Sequence, residues 1–164
     1  MNTSCDDYKV LKWLVSESLH HSIERLSCTR LRWANILSLK DALQSLASSL
    51  LDLEIGFDDM PDPNDICTTS FNIAPLPILT SLTLHIHVSR LSVMPYNFFV
   101  LSELESPLLK SVRFVVKCHS LESLCMIPLV ELAFILSQPR FSNLSEVYFK
   151  FRGALRSSDQ ISRP

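Results

Sequence analysis

Glycine is scarce in this chain of 164: there are two, Gly56 and Gly153. A phosphate-cradling Walker loop or a dinucleotide fingerprint needs several glycines within a few positions, so both are excluded. The five cysteines (Cys5, Cys28, Cys67, Cys118 and Cys125) are odd in number, scattered, and contain no Cys-x-x-Cys pair. Neither a disulfide framework nor a zinc module is indicated, and most are expected to be buried, reduced thiols. Long apolar runs are also missing. The longest, Cys125 to Leu136, is interrupted by Pro128 and Glu131 and is too short to span a bilayer. A net charge of −2 and a pI near 6.2 supply no global attraction to nucleic acid or anionic lipid. The start, Met-Asn-Thr-Ser-Cys-Asp-Asp, carries acids where a secretory signal needs a basic start and an apolar core, so an intracellular chain, cytoplasmic or nuclear, is expected.

What is present is a repeat. Residues 79–88 read Leu-Thr-Ser-Leu-Thr-Leu-His-Ile-His-Val, in which Leu79, Leu82 and Leu84 form Leu-x-x-Leu-x-Leu. Related copies begin at Ile23, Leu50, Leu109 and Leu144, at intervals of about 27 to 35 residues, the range of a repeat solenoid. The second copy is Leu50, Leu53, Ile55 and Phe57; the fourth Leu109, Val112, Phe114 and Val116; the fifth Leu144, Val147, Phe149 and Phe151. Alternation at period two predicts strands with one buried face.

Between the copies the period changes to that of a helix. Leu39, Ala42, Leu43, Leu46 and Ala47 define one apolar face, and Ser38-Leu-Lys-Asp41 reads as a capping box that starts it. Pro95 and Pro128 are expected to open two further helices, the second with Leu129, Leu132, Ala133 and Leu136 on one stripe and Pro139 as its stop. At the amino terminus a helix is predicted over about 6–19. The expected domains are thus a capping helix in residues 1–22, an array of about five strands in residues 23–152, and a polar, disordered tail in residues 153–164. The acidic, proline-rich segment after Phe57 reads as one long solvated loop; it lacks the spacing of an EF-hand.

The phrases Ser22-Ile-Glu-Arg-Leu26, Leu39-Lys-Asp-Ala-Leu-Gln-Ser-Leu46, Ser106-Pro-Leu-Leu-Lys-Ser-Val112 and Phe141-Ser-Asn-Leu-Ser-Glu-Val147 resemble leucine-rich repeats of the irregular, long kind found in fungal F-box proteins. The Leu-Pro-x-Glu-Leu opening of an F-box is not recognisable, so the resemblance implies a substrate-receiving half without its adaptor-binding half. It implies an α/β leucine-rich-repeat solenoid, with a parallel sheet on the concave face, helices on the convex face, and a role in ubiquitin-ligase substrate recognition. If the leucines point inward, the alternate residues face a partner. These include Asp52 and Glu54 on the second strand, Thr83, His85 and His87 on the third, Arg113 and Lys117 on the fourth, and Tyr148, Lys150 and Arg152 on the fifth. The face is expected to run from acidic to basic along the array, a gradient that would steer a protein partner.

No cluster identifies a reaction, and the leading expectation is a non-enzymatic protein-interaction module with no cofactor, no metal, no nucleic-acid partner and no membrane partner. His85 and His87 share a strand face and form half of a zinc site, so a zinc- or thiol-dependent enzyme using them and Cys118 is the first alternative. The second is a truncated fragment without independent function. The chain is expected to be monomeric if complete and self-associating if a fragment, through an uncapped terminal strand.

Overall fold

The computed structural model describes residues 2–4, 8–16, 22–58, 75–88, 96–118, 125 and 127–153. The elements in chain order are β1 (Asn2–Ser4), α1 (Tyr8–Ser16), β2 (Arg25–Leu31), a 3-10 turn (Trp33–Asn35) running into α2 (Ile36–Leu46), β3 (Asp52–Phe57), β4 (Ser81–Val88), α3 (Tyr96–Glu103), β5 (Ser111–Cys118), α4 (Leu129–Leu136), a second 3-10 turn (Pro139–Phe141) and β6 (Glu146–Arg152). All six strands are parallel neighbours in sequence order, β1-β2-β3-β4-β5-β6. Parallel neighbours need a crossover between them, which α1, α2, α3 and α4 supply between their flanking strands.

Strands β2 to β6 fall on the five copies of the repeat, and their equivalence is visible in the backbone. At each strand entry two successive N–H groups donate to one carbonyl of the preceding strand. Leu51 and Asp52 share Glu24, Thr80 and Ser81 share Leu51, Lys110 and Ser111 share Thr80, and Ser145 and Glu146 share Lys110. Hydroxyls stitch the same corners: Ser49 Oγ donates to Ile23 O, Thr80 Oγ1 to Leu51 O and Ser145 Oγ to Lys110 O. The register then aligns Leu26, Leu53, Leu82, Val112 and Val147 across the sheet, followed by Cys28, Ile55, Leu84, Phe114 and Phe149.

From β2 to β5 these rows are buried, and they join one core with Leu11 of α1, Leu39, Leu43 and Leu46 of α2, Leu101 of α3 and Leu132 of α4. Each such side chain contributes about 1.5–3 kcal/mol relative to exposure. The core lies on one side of the sheet, with the helices; the other side is open.

Several expectations are corrected. Residues 1–22 are not helix alone: β1 pairs in register with β2, Asn2 beside Arg25, ahead of α1. Asn-Thr-Ser carries no apolar alternation, so this strand rests on backbone pairing and leaves no periodic signal. The helix expected to start at Ser38 starts at Ile36, preceded by the 3-10 turn. Burial of Trp33 and Ile36 moves the entry upstream, and Ser38 becomes an ordinary helical residue.

On α4 the expected stripe is broken. Leu132 is buried and Leu136 partly so, whereas Leu129 and Ala133 are exposed together with Val130 and Phe134. The same happens to β6: Val147, Phe149 and Phe151, predicted to be core, are all exposed. Both elements lie at the last described edge, where no further described element covers them. The expected tail from residue 154, most of the acidic loop, His20, His21, Cys5, Cys67 and Pro95 lie outside the described residues.

Candidate functional site on the open sheet face

The alternate residues of each strand face away from the helices, and the parallel register lines them up in rows. Arg25, Asp52, Ser81, Ser111 and Glu146 form the first; Ser27, Glu54, Thr83, Arg113 and Tyr148 the second; Gly56, His85, Val115 and Lys150 the third; His87, Lys117 and Arg152 the fourth. All ten expected contact residues (Asp52, Glu54, Thr83, His85, His87, Arg113, Lys117, Tyr148, Lys150 and Arg152) therefore stand on one face. Strand parity was readable from the sequence, and the structure supplies the register that joins the strands.

The acidic-to-basic gradient is modified by internal pairing. Arg25 Nε contacts Asp52 Oδ2 at 2.7 Å, an exposed guanidinium on a half-buried carboxylate at the surface, a pairing that contributes little to stability. Glu54 is held more firmly: Ser27 Oγ donates to its Oε2 at 2.6 Å, and His85 Nε2 lies 2.7 Å from its Oε1. Desolvation by burial pushes the Glu54 carboxyl up, but the hydrogen bonds from Ser27 and His85, with the charges of His85 and Arg152, outweigh it and hold the carboxyl below its ordinary value of 4.5. The acids of β3 are thus already engaged within the face. On the other side of the sheet's midline the Arg113 guanidinium sits 5.8 Å from the ring centre of Tyr148.

A carboxyl that ionises more readily folded than unfolded contributes stability that is fully present above its unfolded value and is lost as pH falls through the folded one. Wild-type stability in urea melts is therefore expected to fall between about pH 5 and about pH 3 by more than that of Glu54→Gln. Parallel losses in the two proteins would remove Glu54 as a source of the acid sensitivity.

The basic groups gather at the carboxyl ends of the strands. A recess of about 390 Å³ opens there, lined by Thr29, Arg30, Asp58, His85, His87, Val115, Lys117 and Arg152. Its floor depends on a bulge that sequence reasoning missed. Cys28 pairs with Ile55 and Leu31 with Phe57, so Thr29 and Arg30 together oppose the single residue Gly56. The extra residue bends β2 and brings both Thr29 and Arg30 over the recess. A Cβ on Gly56 would stand 2.7 Å from Thr29 O and 2.8 Å from His85 Cβ, so only glycine admits this approach. An isolated glycine inside a strand pattern is the signal that could have revealed it. Val115, which alternation assigns to the open face, is nevertheless buried among these neighbours.

The residues of the thiol alternative are not brought together. Cys118 pairs with Val88 and is buried on the helix side, while His85 and His87 face the other way. Asp58 lines the recess with both histidines, but among the described residues no three His, Cys, Asp or Glu side chains are grouped closely enough to hold a metal ion. Among the described residues no helix is long and apolar enough to cross a membrane. Comparison with known proteins gives this site no precedent: no family model, no curated protein and no solved structure matches the chain.

Proposed function

We propose that this chain is a non-enzymatic protein-interaction module of leucine-rich-repeat type, which receives an acidic segment of a protein partner on its open sheet face. The observation that carries the reading is the recess, where Arg30, Lys117 and Arg152 stand with His85 and His87 against the single carboxylate of Asp58. Glu54, the other nearby acid, is already engaged by Ser27 and His85, so the local excess is positive although the chain as a whole is not. A carboxylate entering this recess meets guanidinium and ammonium donors at hydrogen-bonding reach, and Arg113 with Tyr148 offers an adjoining contact of the kind enriched at interface centres.

The resemblance to the repeat regions of fungal F-box proteins supports the same reading, with the sheet as the substrate-receiving face of a short solenoid. The test is selection of a random-peptide display library on the purified chain. Acidic peptides are expected to be enriched, and their affinity to fall about tenfold or more in Lys117→Glu/Arg152→Glu. Arg32→Glu, an exposed change outside the recess, serves as the control. Enrichment without acidic bias, or affinity indifferent to the double substitution, would refute the proposal.

A further inference from the structure

The open-face recess leaves one large feature unused, the outer edge of β6, which no other described strand pairs. An exposed parallel edge with an apolar row is an invitation to further pairing, and natural sheets usually blunt such edges. Here Val147, Phe149 and Phe151 remain 42%, 37% and 51% exposed on the helix side. We infer that this edge binds the same edge of a second copy, β6 against β6 in antiparallel orientation, joining two sheets into one across a twofold axis at Phe149.

The backbone fixes the phase of that pairing. Glu146 N–H donates to Lys110 O, and the register with β5 continues through Val147, Tyr148, Phe149, Lys150 and Phe151 to Arg152. Alternate residues of a parallel strand bond to the same side, so Glu146, Tyr148, Lys150 and Arg152 turn their N–H and C=O groups toward β5. Val147, Phe149 and Phe151 turn theirs outward. An antiparallel partner can satisfy outward groups only by pairing outward residues with outward residues. Centring on Phe149 places Phe149 opposite Phe149 and Val147 opposite Phe151, each pair exchanging both N–H···O bonds.

The side chains choose among the registers this phase allows. With Phe149 at the centre, Glu146 of one copy lies opposite Arg152 of the other, and Tyr148 lies opposite Lys150. Opposite-charge and cation–aromatic pairs of this kind occupy the non-hydrogen-bonded positions, where side chains approach most closely. Sliding by two residues in one direction sets Lys150 against Lys150. Sliding in the other releases the outward groups of Phe151. A one-residue slip brings the apolar row opposite the charged row and leaves the outward groups unmatched. The strand Glu-Val-Tyr-Phe-Lys-Phe-Arg is therefore complementary to itself read backwards, which is what a twofold contact requires.

The alternative contact, β6 on β1 of the next copy, would be parallel and open-ended and would give filaments instead of dimers. Among the described residues β1 offers three, Asn2–Ser4, with no apolar alternation to match.

The test is mass by light scattering over a dilution series reaching about 100 µM, since dimerisation follows mass action. A dimer is expected. Glu146→Arg alone and Arg152→Glu alone set like charges opposite each other and are expected to weaken dimerisation about tenfold or more. Mixed in equal amounts, the two variants regain complementarity and are expected to form the heterodimer. Val147→Pro removes an outward N–H and leaves the β5 ladder intact, so it is expected to be monomeric, with a thermal melt that matches the wild type at concentrations where the wild type is itself monomeric. A chain monomeric throughout, filaments, or a dimer that survives these changes would overturn the inference. Since the readout is mass, its failure is distinguishable from failure of the recess to bind acidic peptides.

Discussion

Truncation of Phe114 to alanine is expected to cost about 3–5 kcal/mol of unfolding free energy, the range for removing a large aromatic from a packed interior. Phe114 is fully buried, lies beside Leu84 on β4, and stacks on Phe149 of β6 with ring centres 4.9 Å apart. It stands where the core row stops being covered, so the surrounding side chains have layers on only one flank from which to refill the space. A domain of this size is stable by about 5–15 kcal/mol, so the loss would be a large fraction of the whole. The same truncation at Phe151 has a different expectation. That ring is half exposed and its neighbour Phe149 lies 6.3 Å away, so a cost below about 1 kcal/mol is expected in dilute solution. Urea melts of the two variants at low concentration make the comparison. Equal costs would mean that β6 belongs to the core and that its apolar row is covered.

Replacing Gly56 with valine tests the recess from the opposite direction, by adding atoms. Valine favours strands, and by propensity alone the change would stabilise β3. The clash decides otherwise. The new Cβ would lie within 3 Å of the Thr29 carbonyl, which is backbone, and of the His85 Cβ, which is nearly so, and neither can swing aside as the end of a long side chain could. Overpacking of this kind costs about 1–3 kcal/mol. Relief requires either unbending the β2 bulge or displacing His85 from Glu54, and both close the recess. Gly56→Val is therefore expected to lower the melting temperature and to abolish binding of the acidic peptides selected on the wild type. Gly56→Ala is expected to do the same to a smaller degree. A valine variant with wild-type stability and wild-type peptide affinity would show that the bulge does not build the site.

The two experiments bear on features of unequal visibility in the chain. Phe114 could be assigned to the core from its place in Val112-Arg-Phe114-Val-Val116, because period-two alternation is a local property. Gly56 could not be understood locally, because its neighbours Thr29 and His85 come from strands 27 and 29 residues away in opposite directions. The sharing of Glu54 between Ser27 and His85 is of the same kind. Each residue was placed on the open face by parity, yet their contact depends on pairing across three strands. Leu129 and Phe149 show a converse effect. Their local patterns matched those of buried residues elsewhere in the chain, yet their elements lie at the last described edge of the sheet, where they are exposed.

The sequence by itself determined the strand-helix period, the parity of β3 to β6 and of β2 as far as Cys28, and the identity of the side chains that those stretches place on the open face. These follow from the fixed geometry of the strand, in which successive side chains point to opposite sides whatever surrounds them. Only the tertiary structure decided which rows are covered, where β2 bulges against Gly56, and which acids are already paired. Those outcomes depend on what stands on the neighbouring strand or in the next layer, and burial and pairing energies belong to the contact between elements.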